Sequence, residues 1–134
     1  VFSGLIEGAG LFFVAAPWHG AATRSLQIAF GALLVIRVVA WLGYRRRVAG
    51  TIAPGAKAAL DGAGGMLIVA GTALPLALVA AAGFAASDVA LALTGIAGLV
   101  AALAGAFVKL TLITRAGFNQ GFALPHLPVR GARA

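Results

Sequence analysis

The chain has 134 residues, 62% of them hydrophobic and 10% charged, with a formal net charge of +7 and no cysteine. So short and apolar a chain cannot hide its side chains in a water-soluble core, because small domains bury too little of their surface. The missing thiols exclude a cysteine-held iron–sulfur cluster or a thioether-linked haem on this polypeptide, and the cations gather at the ends of apolar runs, which reads as membrane topology rather than nucleic-acid binding.

Four apolar runs follow one another. The first is 1–16, closed by Pro17; the second 25–44; the third 61–83; the fourth 88–108, continuing to about 112. A helical run of 20 residues rises about 30 Å, the thickness of a bilayer's hydrocarbon core. The last three runs reach that length. The first is marginal and opens at Val1 without an initiator Met. It lacks a signal peptide's basic front end and is read as the remains of a span. Barrel strands are not expected, because the runs are Ala- and Leu-rich and lack period-two alternation. The fold expected is therefore an all-α membrane protein with four transmembrane helices in an antiparallel bundle over 1–115, followed by a tail over 116–134.

The joints are short. Pro17-Trp18-His19-Gly20 ends the first span with a Trp at the interface, and Trp41 and Tyr44 stand at the end of the second. Arg45, Arg46, Arg47, the Pro54-Gly55 turn and Lys57 form the middle loop; 84–87 is a tight turn without Lys or Arg. Lys109, Arg115, Arg130 and Arg133 follow the fourth run. Alternating spans put these two groups on one side, against Arg24 on the other and Arg37 within a span. By the positive-inside rule the middle loop and C-terminal tail are expected in the cytoplasm, and the protein in the cell's inner membrane.

Packing signals are also present. Gly4 and Gly8 form a small-xxx-small pair, and Gly95, Gly98, Ala102 and Gly105 recur at spacings of three and four. Such stripes let helix backbones approach where lipid gives no apolar drive. Pro75, beside Thr72, is expected to kink the third span, with neighbouring groups satisfying the freed carbonyl.

Two charges fall inside spans, Glu7 and Arg37. Intramembrane ionisable residues are expensive and mark functional sites by default. Glu7 lies about 15 Å from the outer end and Arg37 about 20 Å, at 1.5 Å per residue. The two are expected to pair or share a polar cluster, with Gln27 a further candidate. As a structural ion pair they lock a hairpin; as a functional pair they handle protons or quinone. His19 and His126 lie outside the spans, so no bis-histidine haem is expected between the helices. Gly62, Gly64 and Gly65 lack the preceding strand and following Lys-Ser/Thr of a phosphate-binding loop.

The tail is the informative stretch. Lys109 and Arg115 suit a helix C-terminus and an anionic leaflet. Phe118, Asn119, Gln120, Phe122, His126 and Arg130, bounded by Pro125 and Pro128, exceed what a membrane end requires and suit a docked protein surface. The segment from Lys109 to Arg130, with Thr114-Arg115-Ala116, Phe118-Asn119-Gln120-Gly121-Phe122, Leu124-Pro125 and Pro128, resembles the C-terminal end of membrane anchors of dimethyl-sulfoxide-reductase-type complexes and of the wider polysulfide-reductase-type group. Within these it looks most like anchors attributed to phenylacetyl-CoA:acceptor oxidoreductases. The resemblance covers about a sixth of the chain; the remainder is similar only in being small-residue-rich span.

That resemblance implies a non-catalytic anchor that holds an iron–sulfur electron-transfer subunit and a molybdopterin catalytic subunit at the membrane and exchanges electrons with quinone. The cofactors then sit in the partners, with none bound by this chain and quinone met at the level of the complex. The family's anchors have about twice as many spans, so the chain corresponds to a C-terminal half, and no quinone site transfers to a residue here. The rival expectation is a fragment of a secondary transporter, with Glu7 and Arg37 as the substrate or proton site and Pro75 as a hinge. The two hairpins show no inverted similarity, which ranks the transporter second.

Overall fold

The computed structural model describes residues 2–20, 23–48, 50 and 54–116. It is an all-α bundle of four rods. They comprise α1 (Phe2–His19), α2 (Arg24–Val48), a third rod made of α3 (Pro54–Ile68) and α4 (Leu74–Ala82), and α5 (Ser87–Thr111). A π-helical turn, Val69–Ala73, joins α3 to α4, and a second, Leu112–Ala116, ends α5. Three rods are long and apolar enough to cross a membrane: Arg24–Val48, Lys57–Ala82 and Ser87–Arg115.

The ends follow local chemistry. Pro17 does not stop α1 at Ala16 as expected. The helix runs on to His19, because a proline near the C-terminus forfeits only one backbone bond. The chain then turns at Gly20, whose φ of 65° is the left-handed cap glycine allows, and its amide donates to Ala16 O at 2.9 Å. The third rod begins at Pro54, earlier than the expected 61. Proline suits a first helical position, where no amide partner is needed, and the following Ala-rich turn propagates the helix. Lys57 therefore lies on α3 rather than in a loop, and Gly62, Gly64 and Gly65 lie within the same helix.

Small residues of α5 fill the centre: Ala97, Ala101 and Ala104 are buried, and so are Gly98 and Gly105. Large apolar side chains, among them Leu11, Ile28, Val39, Leu103 and Ile113, point outward. α1 packs most extensively on α5. At their crossing a Cβ on Gly10 would stand 2.5 Å from Gly98 O, and a Cβ on Gly98 would strike Gly10 O, so glycine at both positions sets the approach. The Gly95–Gly105 stripe thus works as expected. Gly4 and Gly8 do not; both have open space around them, while Gly10 on the same helix is buried. Ile6, Phe13, Phe30 and Leu34 complete this core with Ala97 and Ala101, the Phe13 and Phe30 rings lying 5.2 Å apart.

A second core, Trp41, Leu60, Ala63, Leu67 and Val108, lies toward the end where α2 and α5 finish and α3 begins. This end gathers Arg45, Arg46, Arg47, Lys57, Lys109 and Arg115. The opposite end holds His19, Arg24, the turn after Ala82, and Asp88.

Candidate functional site

The third rod breaks at a predictable place. Pro75 has no amide hydrogen, so the carbonyl one α-helical turn earlier, Gly71 O, loses its usual donor. The backbone responds with a π turn in which the Leu74 amide reaches Val69 O, the kind of irregularity that membrane helices tolerate when side chains re-satisfy the freed groups. Thr72 Oγ1 donates to Leu67 O at 3.0 Å. Gly71 O receives the Arg37 guanidinium, through Nη2, from the neighbouring helix α2. Gly71 also makes room for it: a Cβ there would lie 3.1 Å from that nitrogen. Arg37 Nη2 further reaches Thr72 Oγ1 at 3.4 Å.

The expectation that a neighbour satisfies the carbonyl freed by Pro75 thus meets its donor in Arg37. The expected direct pairing of Arg37 with Glu7 does not form. Glu7 accepts instead from Lys109 Nζ at 2.6 Å and from Ser3 Oγ at 3.1 Å. Gln27 goes elsewhere again, donating to Thr94 Oγ1 at 3.0 Å, while Thr94 donates to Ala90 O at 2.7 Å. The reason is the neighbour relation. Consecutive spans suggested α1 against α2, whereas the Gly10–Gly98 crossing lays α1 along α5 and brings Glu7 to Lys109. Gly105 leaves space for the Glu7 carboxylate, which a Cβ at that position would strike.

Arg37 is 5% exposed, and its Nε and Nη1 have no hydrogen-bond partner among the described residues. It borders a cavity of about 310 Å³ that Ser3, Trp41, Tyr44 and Lys109 also line, with apolar walls from Leu67, Val108 and Leu112. The Trp41 indole nitrogen is likewise buried and unpartnered, packed on Gly64. A second cavity, about 250 Å³, lies between the tips of α2 and α3 beside Arg45, Arg46, Lys57 and Asp61. There Arg45 and Asp61 form a half-exposed ion pair. Sequence reasoning singled out Arg37 and Lys109 but missed the cavity between them. Its signal was Trp41 and Tyr44 on the turns just beyond Arg37.

Of the expected docking residues, Lys109 and Arg115 stand at the basic end of α5 and its terminal π turn. Phe118, Asn119, Gln120, Phe122, His126 and Arg130 lie outside the described residues. Among the described residues no three His, Cys, Asp or Glu side chains come together as a metal site. No protein-family model, curated protein or solved structure matches the chain.

Proposed function

We propose that the chain is a membrane-embedded anchor subunit, carrying no metal centre of its own, that fixes a partner at its basic end. The observation that carries this reading is the outer face of the bundle. Large apolar side chains cover the outer surface as well as filling the two cores, and six cations crowd one end. A water-soluble bundle is apolar within too, but it presents a polar and charged outer face rather than a greasy one. In a bilayer the outward Leu, Ile, Val and Phe meet lipid, and the basic end with the C-terminus lies in the cytoplasm of an inner-membrane protein. The partner we propose follows the resemblance of 109–130 to oxidoreductase anchors. It is an iron–sulfur subunit carrying electrons between quinone and a molybdopterin catalytic subunit.

The test is a mild-detergent purification of the tagged full chain, with and without residues 117–134. The expected result is an iron–sulfur and a molybdopterin protein co-purifying with the full chain and lost from the shortened one, while the bundle itself persists. Retention of both proteins without the tail overturns the docking role. One observation favours the transporter alternative: a broken helix whose freed carbonyl meets a buried arginine beside a cavity resembles transporter substrate sites. Purified chain that catalyses uptake into vesicles, and brings down no iron–sulfur subunit, decides for it.

A further inference from the structure

Among the described residues no anion hydrogen-bonds Arg37. The sequence holds three carboxylates, Glu7, Asp61 and Asp88. Glu7 accepts from Lys109 and Ser3, and Asp61 from Arg45. Asp88 stands in the first turn of α5, at the opposite end of the bundle. Arg37 is thus a buried cation with a carbonyl and a hydroxyl for partners and, among the described residues, two idle nitrogens and no hydrogen-bonded anion. A guanidinium held out of water needs a counter-charge or costs several kcal/mol.

We propose that the cavity between α2 and α5 seats the phosphate of an anionic membrane phospholipid, held by the free nitrogens of Arg37 and by Lys109. The location fits. Arg37 lies seven residues before Tyr44, about 10 Å along the helix, with its guanidinium turned to Gly71 and Thr72 on the third rod. Half-exposed Tyr44 marks headgroup level, where amphipathic rings are favoured, and Trp41 forms the buried wall beside it. Lys109 is 44% exposed at the mouth and keeps donors beyond the one it gives Glu7. Leu67, Val108 and Leu112 offer the acyl region an apolar wall. Basic pockets between spans on the cytoplasmic face are suited to such headgroups. The site rests on the membrane reading above but not on the identity of any protein partner.

The experiment is native mass spectrometry of the purified, delipidated full chain, titrated separately with phosphatidylglycerol, phosphatidylcholine and inorganic phosphate. The expected result is one phosphatidylglycerol retained, about fivefold more tightly than phosphatidylcholine, the scale of one basic residue facing a net anionic lipid. Arg37→Gln lowers retention about tenfold or more, as loss of a charge-assisted hydrogen-bond set predicts, and Arg37→Lys restores part of it. Ala40→Phe fills the cavity mouth without changing charge and loses retention too, which decides the matter should Arg37→Gln unfold. Arg24→Gln, at the far end, leaves retention unchanged. Equal retention by wild type and Ala40→Phe overturns the proposal. So does saturation by inorganic phosphate with no preference for lipid, or occupation of the site by a co-purified protein that excludes lipid. Carbonate extraction separates the two failures: release from the membrane sinks the membrane reading, whereas an embedded chain without lipid selectivity sinks only this site.

Discussion

Restoring an amide at position 75 should make Arg37 structurally dispensable. In Pro75→Ala the new N–H can return to Gly71 O, because the α-helical register resumes at Leu74 and residue 75 is its second position. In the native sequence that carbonyl depends on Arg37. A hydrogen bond to a charged donor contributes about 1.5–3 kcal/mol in general, while interhelical side-chain bonds in membrane bundles average ~0.6 and reach ~1.7 kcal/mol. Arg37 lies between these cases, a charged donor to a buried carbonyl inside a bundle. We expect a coupling energy of about 1–1.5 kcal/mol between the two positions, within those published scales. The measurement is a double-mutant cycle of wild type, Arg37→Met, Pro75→Ala and the pair, unfolded reversibly in lipid bicelles. Relief of the guanidinium's desolvation occurs in both backgrounds and cancels from the cycle. Arg37→Met should be less favourable in the native background than beside Pro75→Ala by that coupling energy. Additivity within about 0.5 kcal/mol would show that Arg37 does not substitute for the missing amide.

Gly98→Ala places a methyl against Gly10 O and should destabilise by about 1–3 kcal/mol through overpacking, read in the same bicelle assay. Gly8→Ala, in open space on an exposed face, should be neutral or stabilise by up to about 1 kcal/mol through helix propensity. Asp61→Asn removes a half-exposed pair with Arg45 and should cost no more than about 1 kcal/mol, shrinking as salt is added; a larger, salt-independent loss would contradict the solvated geometry. The absence of native cysteine makes topology clean to measure. Gly50→Cys should label only from the cytoplasm and Ser87→Cys only from outside, and the opposite pattern reverses the orientation.

The depth of each feature was legible in the sequence, and its direction around the helix was not. Run lengths gave the rods, the cation pattern gave the shared basic end, and Pro75 gave the break, because these depend only on position along the axis. Pairing Glu7 with Arg37 required knowing which rods are neighbours. That is decided by Gly10 meeting Gly98, a contact between residues 88 apart that no local pattern announces. The same gap explains the small-residue stripe read at Gly4 and Gly8. Spacing identifies a stripe, but only the partner helix decides which one is used. Pro54 was read as a turn because proline serves turns and helix starts alike, and the Ala-rich residues after it choose the helix.

The two ways of joining rods in this bundle imply an order of disassembly. α1 and α5 are zipped backbone to backbone over their small residues. α2 is fastened at three heights instead, by Gln27 to Thr94, Arg37 to Gly71 and Arg45 to Asp61, with a hollow beside the middle fastening. Pulled sideways or loosened by detergent, α2 should peel off first, in a stepwise rupture of three latches, leaving a resistant core of α1 and α5. A single-molecule pulling trace would record that sequence as small early steps followed by one large event.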